Sequence, residues 1–303
     1  MKSWRAIADW AKANGLTLRI ADRLGRGRGR FRILDVLWRP PPAPCKPDLT
    51  DWERHELAAV WIGHATVLMR MGGMNILTDP VFSKRVGIGL GLMTGGPLRM
   101  AAPALKLREL PRLDLVLVSH AHFDHLDRPT LVRLPKSVPV VAAENTADLI
   151  RDLGFREIVE LRWDESTQIG NLKITAVPVK HWGARAFYDR HRGFAAFQFE
   201  AGERRVLFGS DTAYCDAFSA IGPVDLAILG IAGYDPYIHG HANPEQVWQM
   251  ANQCEAKFIL PMHHSTFRLS LEPMDEPLKR LIAAAGKDAS RIVVREIGGQ
   301  WAL

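Results

Sequence analysis

The stretch 116-VLVSHAHFDHLD-127 packs three histidines and two aspartates into eight residues, directly behind an apolar run rich in β-branched side chains. Leu113 to Ser119 reads as a buried strand, so the titratable groups begin where the strand ends. The pattern recurs along the chain. A strand over Leu172 to Val179 runs on to His181, Val206 to Phe208 leads through Gly209-Ser210 to Asp211, and Phe258 to Leu260 continues through Pro261-Met262 to His263. His120, His122, Asp124, His125, His181, Asp211 and His263, five histidines and two aspartates, thus lie just past four strand ends. Gathered in one dry pocket without a cation, they would shift their pKa values or carry a large desolvation cost.

The remaining signals describe a mixed α/β chain. Residues 57 to 80 read as two or three strands, with Gly72-Gly73 as a hairpin turn. Pro139 to Ala143, Gly193 to Phe199 and Leu226 to Leu229 are further strands. Asp127 stands at N-cap spacing ahead of Pro129, and Asn145 to Leu153 reads as a short helix closed by Gly154. Asn243-Pro244-Glu245-Gln246 opens another helix, with cap, first-turn proline and acidic residue in place. GIGLGLMTGGPLRM, at 87 to 100, is long for a connection, as lids and binding walls are.

The charge is uneven. The net value is +6, and residues 1 to 39 hold ten Lys or Arg against three Asp, which leaves the rest of the chain near −1. PPPAPCKP at 40 to 47 is a stiff connector that cannot join a helix or sheet interior. The expected division is a basic arm with connector over 1–50 and a folded domain over 51–303. Apolar residues at 47% and charged residues at 24% suit an ordinary globular domain. No run approaches the roughly 18 apolar residues of a membrane span. Three widely spaced cysteines offer neither a disulfide framework nor a CxxC knuckle, so a reducing compartment, the cytoplasm, is expected.

Side-chain direction alternates in extended or turn geometry, so His120 and His122 can project to the same side. Asp124 extends that side and His125 turns to another. One loop could feed two cations, with His120 and His122 serving one and Asp124 and His125 the other. A carboxylate such as Asp211 can bridge them. Imidazole and carboxylate donors suit zinc, manganese or iron. A lone histidine after a strand is most often a hydrogen-bonded structural residue, and it is the clustering that favours metal here. His64 admits three readings: orienting a ligand, facing the substrate, or structural. Asp127 either orients a ligand or caps its helix. Arg185 either binds phosphate or solvates the surface, while His264 and His191 read as structural.

SHAHFDHLD fits the H-x-H-x-D-H signature, and the chain resembles the metallo-β-lactamase superfamily. WIGHATVLM, LTDPVFS, KHWGAR, GSDTAYCDAFSAIGPVDLAILGIAGYDP, HANPEQ and PMHHSTF, in that order, bring it nearest the N-acylphosphatidylethanolamine-hydrolysing phospholipase D branch. Ascorbate-6-phosphate lactonases are more distantly similar. The resemblance covers most of residues 56 to 280. It implies a four-layer αβ/βα sandwich with two divalent metal ions at one edge of two sheets. It also implies that His120, His122 and His181 hold the first ion, that Asp124, His125 and His263 hold the second, and that Asp211 bridges them. The family pattern selects His263 over His264. His241 of the His239/His241 pair matches a single family histidine, which implies a substrate-side or proton-donor role. The implied chemistry is metal-assisted hydrolysis, in which two cations, zinc first and manganese or iron as alternatives, lower the pKa of a shared water.

Three substrate classes follow. The first is a lipid or lipid-like phosphodiester, with Trp4, Ile7, Trp10 and Ala11 of the arm near helical spacing and able to meet an anionic membrane. The second is a small lactone or sugar phosphate. The third, nucleic acid, is disfavoured because no basic stripe leads to the metals once the arm is set aside. A non-catalytic module with a closed metal shell is the remaining class.

Overall fold

The computed structural model describes residues 39–90, 93–186 and 189–303. The basic arm up to residue 38 lies outside the described residues, and so do its expected helix and membrane contacts. In the first half, the strands are β1 (Leu57–Gly63), β2 (Thr66–Met71), β3 (Met74–Thr78), β4 (Ile88–Leu90), β5 (Met93–Gly95), β6 (Leu115–Val118), β7 (Val140–Ala143) and β8 (Ile158–Leu161). The second half adds β9 (Ser166–Ile169), β10 (Leu172–Val177), β11 (Ala196–Ala201), β12 (Arg204–Phe208), β13 (Leu226–Gly230), β14 (Phe258–Met262) and β15 (Gln300–Ala302). The helices are α1 (Arg128–Leu131), α2 (Pro244–Gln253) and α3 (Glu276–Ala285).

Two mixed sheets form, in the orders β15-β1-β2-β3-β6-β7-β8 and β14-β13-β12-β11-β10-β9. In each, antiparallel hairpins lead into parallel strands: β3, β6, β7 and β8 in the first, β12, β13 and β14 in the second. The first strands are buried on both faces, and alternate residues serve different cores. Ala59 and Trp61 of β1 pack with Phe197, Phe199 and Phe208 of the opposite sheet. Ala58, Val60 and Ile62 pack with Leu131, Leu134 and Ile150 on the outside. The outer face of the second sheet (Leu207, Ala227, Leu229) is covered by Val247, Met250 and Ala251 of α2 and by Leu281 and Ala285 of α3. Period-two alternation with both faces covered therefore yields four layers, the expected αβ/βα sandwich.

Local signals worked where the chemistry was local. Gly72 and Gly73 both have positive φ, 58° and 76°, as a tight hairpin requires. At α2, Asn243 accepts from the Gln246 backbone and Gln246 returns the bond, a complete capping box. The region Asn145 to Leu153 departs from expectation: it forms two 3₁₀ turns, Ala147–Leu149 and Arg151–Leu153, ending at Gly154 with φ 83°. The connector joins no helix or sheet but is tied to the body. Cys45 N–H donates to Ile297 O at 3.0 Å, and Pro41 O accepts from Ala102 N–H at 2.7 Å, so it is strapped to the body. The stretch 87–100 carries a small two-stranded ribbon, β4 with β5.

Candidate metal centre

The C-terminal ends of β6, β12 and β14 and the chain beyond β10 deliver the sequence-predicted donors to one sheet edge, the place where ligands meet parallel strands. Past β6 the chain turns tightly, with His125 and Leu126 N–H both donating to His122 O. Arg185 secures this loop. Its guanidinium is buried, donates to Ala121 O (2.6 Å) and Leu126 O (2.8 Å), and lies 3.9 Å above the Phe123 ring. It is neither an exposed solvating arginine nor a phosphate ligand. Burial draws it down to about 9. Asp127 also departs from expectation, because its carboxylate makes no cap bond and orients no histidine. It accepts instead from Ser83 N–H and Oγ–H and from Thr130 Oγ–H, fastening the loop after β3.

His120, His122, His181 and Asp211 bring one donor atom each to within 4.8 Å of one another. His120 Nδ1 bonds Ser119 Oγ at 2.9 Å, whose own hydroxyl donates to Asp79, and His181 Nδ1–H donates to Gly240 O at 2.9 Å. In the neutral rings both Nε2 atoms then carry bare lone pairs. They face His122 Nδ1 at 3.0 and 3.3 Å, and one proton on that atom cannot satisfy both. Burial first, then the neighbouring rings, holds His120 well below the ordinary imidazole range, and burial does the same for His181 against the pull of Asp211. His122 is drawn to about 4, chiefly by burial. Three neutral rings aiming nitrogens at one point fit a cation.

The second group is His64, Asp124, His125 and His263. Here the charge balance reverses. Burial opposes ionisation of Asp124 and Asp211, yet the charge of His125, joined by the neighbouring His263 and, for Asp124, by the His64 hydrogen bond, holds both carboxyls well below their usual range. Burial likewise opposes charging His125 and His263. Asp211 heads the opposing causes for both, raising His125 well above the ordinary value and His263 to about 9. Without a metal, imidazole protons supply the positive charge these carboxylates require. His125 Nε2, Asp211 Oδ1 and both ring nitrogens of His263 are buried with no hydrogen-bond partner among the described residues. Asp211 Oδ2 stands 3.0 Å from His125 Nε2, 3.2 Å from His263 Nε2 and 3.8 Å from the Nε2 atoms of His120 and His181. That position, between the two groups, suits a bridging carboxylate. The donor set fits two cations.

His64 is fully buried, so it cannot face a substrate. Its Nε2–H donates to Asp124 Oδ2 at 2.8 Å, while burial takes its pKa to about 3 and keeps it neutral. His241 is more open, with 12% of its side chain accessible and Nδ1 3.9 Å from Asp211 Oδ2. Gly233, at φ 94°, makes room for that ring, which a β-carbon there would meet. His239 and His191 are exposed, and His264 lies tilted against the Trp61 ring at 4.5 Å and joins none of the donor groups. Sequence reasoning missed Asp79. Fully buried, it accepts from His125 Nδ1–H at 2.7 Å and from Ser119 N–H and Oγ–H, which fixes the ring. It sits within LTDPVFS, but nothing local marks it, since His125 is 46 residues away.

A beta-lactamase superfamily domain model matches residues 74–264. An uncharacterized protein of Mycobacterium tuberculosis is 34% identical over 271 residues, 84% of this chain and 72% of its own. The N-acyl-phosphatidylethanolamine-hydrolyzing phospholipase D 1 of Caenorhabditis elegans is 32% identical over 273 residues, covering 81% of this chain and 75% of its own. Among solved structures, an isothiocyanate hydrolase from Delia radicum gut bacteria superposes with a TM-score of 0.67 at 19% identity, over 81% of this chain and 99% of that one. The fold, the clustered donors and a family model spanning more than half of the sequence agree: this chain belongs to the beta-lactamase superfamily, with the fold of its metal-dependent hydrolases.

Proposed function

We propose that this protein is a dinuclear metal-dependent phosphodiesterase of the phospholipase D type. The observation that carries the hydrolytic reading is the pair of buried donor groups flanking Asp211, with ring nitrogens and carboxylate oxygens converging on each. His120, His122 and His181 would hold one ion and Asp124, His125 and His263 the other, with Asp211 between them and zinc as the preferred metal. When bound, such ions supply Lewis-acid charge and lower the pKa of water. The protein's own groups prepare that site. Ser119, Gly240 and Asp79 set the tautomers of His120, His181 and His125, and His64 holds Asp124 in place. Burial keeps His241 below the ordinary imidazole value, so it is neutral near pH 7. With Nδ1 turned to Asp211, the neutral ring would present Nε2 to the substrate as a hydrogen-bond acceptor, a substrate-side role.

The phosphodiester preference rests on the 32% identity to the nematode phospholipase D. In the same reading the protein works in the cytoplasm, where the basic residues 1–39 touch anionic membrane. Among the described residues no helix is long and apolar enough to cross a membrane. The test compares kcat/KM of zinc-, manganese- and iron-loaded protein on bis-p-nitrophenyl phosphate and on a panel of lactones. Preference for the phosphodiester, abolished in His122→Ala together with metal content, supports the proposal. Faster lactone opening would replace it with a lactonase.

A further inference from the structure

Beside His181 stands an indole that the hydrolytic chemistry does not use. Trp182 is 43% accessible, yet it is held on several sides. Its ring lies 4.3 Å from His181 at a 32° tilt, 5.1 Å from His122 and 5.8 Å from His241. It also lies so close over Gly240 that a β-carbon there would collide with Cζ3. Gly240 thus serves two neighbours: its carbonyl accepts from His181 and its bare α-carbon admits the indole. The aromatic surface continues past the metal side. Phe194 meets the edge of His181 at 6.2 Å, and Trp163, 46% accessible, meets Phe194 at 5.5 Å. The Trp163 indole N–H is satisfied by Phe194 O at 2.6 Å, so its hydrogen-bonding group is engaged within the protein.

An exposed tryptophan on a mobile surface chain has an ordinary explanation, but an immobilised one forgoes both burial and rotamer freedom. Linked through Phe194 and the buried His181 ring, the exposed indoles of Trp163 and Trp182 make an apolar shelf that begins at the donor cluster. We infer that Trp182, backed by Phe194 and Trp163, seats an apolar chain of the substrate on the His122/His181 side of the centre and so determines specificity. The inference rests on the hydrolytic reading of the site, and it names where the apolar part of a phosphoester substrate lies. A fully buried methylene strengthens binding about fourfold, and a chain lying on an open shelf buries about half its surface, so each added methylene gives about twofold.

The test is equilibrium binding of n-alkylphosphonates, from methyl to decyl, to the full-length zinc-loaded protein by calorimetry. In the wild type, affinity rises about twofold per methylene over the first several carbons. In Trp182→Ala the dependence on chain length falls to less than half of that, Trp182→Phe lies between, and Trp163→Ala flattens only the longer members. Mass spectrometry showing two ions per chain confirms that each variant retains its centre, and the slope is internally normalised to each variant's own short ligand. A wild-type slope preserved in Trp182→Ala and Trp163→Ala overturns the shelf, as does a wild-type series that is flat with chain length. Failure of the phosphodiesterase reading shows separately, as absent bis-p-nitrophenyl phosphate turnover alongside an intact alkyl slope.

Discussion

Replacing Asp79 by asparagine tests how a buried carboxylate presents a neighbouring imidazole. Asp79 Oδ1 accepts from Ser119 N–H at 2.7 Å, and Oδ2 accepts from Ser119 Oγ–H at 2.6 Å and His125 Nδ1–H at 2.7 Å. An amide keeps one oxygen for the Ser119 N–H and turns an NH₂ donor toward His125. The ring can answer only by making Nδ1 an acceptor and moving its proton to Nε2, the nitrogen that faces Asp211. The lone pair meant for the second cation is thereby blocked. Loss of such an orienting partner lowers metal affinity about 10- to 100-fold, equivalent to about 1.4–2.8 kcal/mol. The assay is zinc uptake from chelator-buffered solutions, with bound metal counted by mass spectrometry. The first ion should bind as in the wild type, while the second binding curve moves by one to two decades. A second ion held within about twofold of the wild-type affinity, or equal weakening of both ions, would refute the tautomer argument.

Three further outcomes follow from the same geometry. In the metal-free protein His263 is raised to about 9, so zinc uptake must displace its proton below that pH, and apparent affinity should fall about tenfold per displaced proton for each pH unit lowered from 8 to 6; buffered titrations at three pH values measure it, and a pH-independent affinity contradicts it. Buried His264 is held at about 3 against an unfolded value near 6.5, so its stabilising contribution is complete above pH 6.5 and is lost as pH falls toward 3, at about 1.4 kcal/mol per unit. Urea denaturation of metal-free wild type and His264→Phe between pH 6.5 and 4.5 should therefore show a gap changing by that amount per unit, and parallel curves would argue against it. Arg185→Met removes Nη1, the one nitrogen that donates to both carbonyls of the histidine loop, and leaving them unpaired should cost about 1–3 kcal/mol each in urea denaturation. A loss below about 0.5 kcal/mol would show that the loop does not depend on the guanidinium.

Much of the framework was legible because its causes are close in sequence. Gly72-Gly73 declares a hairpin through backbone freedom, Asn243 and Gln246 cap a helix from three residues apart, and the H-x-H spacing follows strand periodicity. What escaped depends on contacts between distant segments. Asn145 to Leu153 carries helix signals, but the Glu160 carboxylate of β8 takes the Thr146 and Ala147 N–H groups and the segment settles into 3₁₀ turns. α3, which runs from Glu276 to Ala285, went unread although its apolar side packs beneath the second sheet. Arg185 reads as a surface arginine in KHWGAR until its partners 59 and 64 residues away are known.

The same division holds at the centre. By itself, the sequence determined which donor types exist and that they follow strand ends, because residue identity and strand periodicity are local properties. Only the tertiary structure decided which nitrogen of each ring faces inward. An imidazole's tautomer is set by the partner on its other nitrogen, and for His125 and His181 those partners, Asp79 and Gly240, come from 46 and 59 residues away.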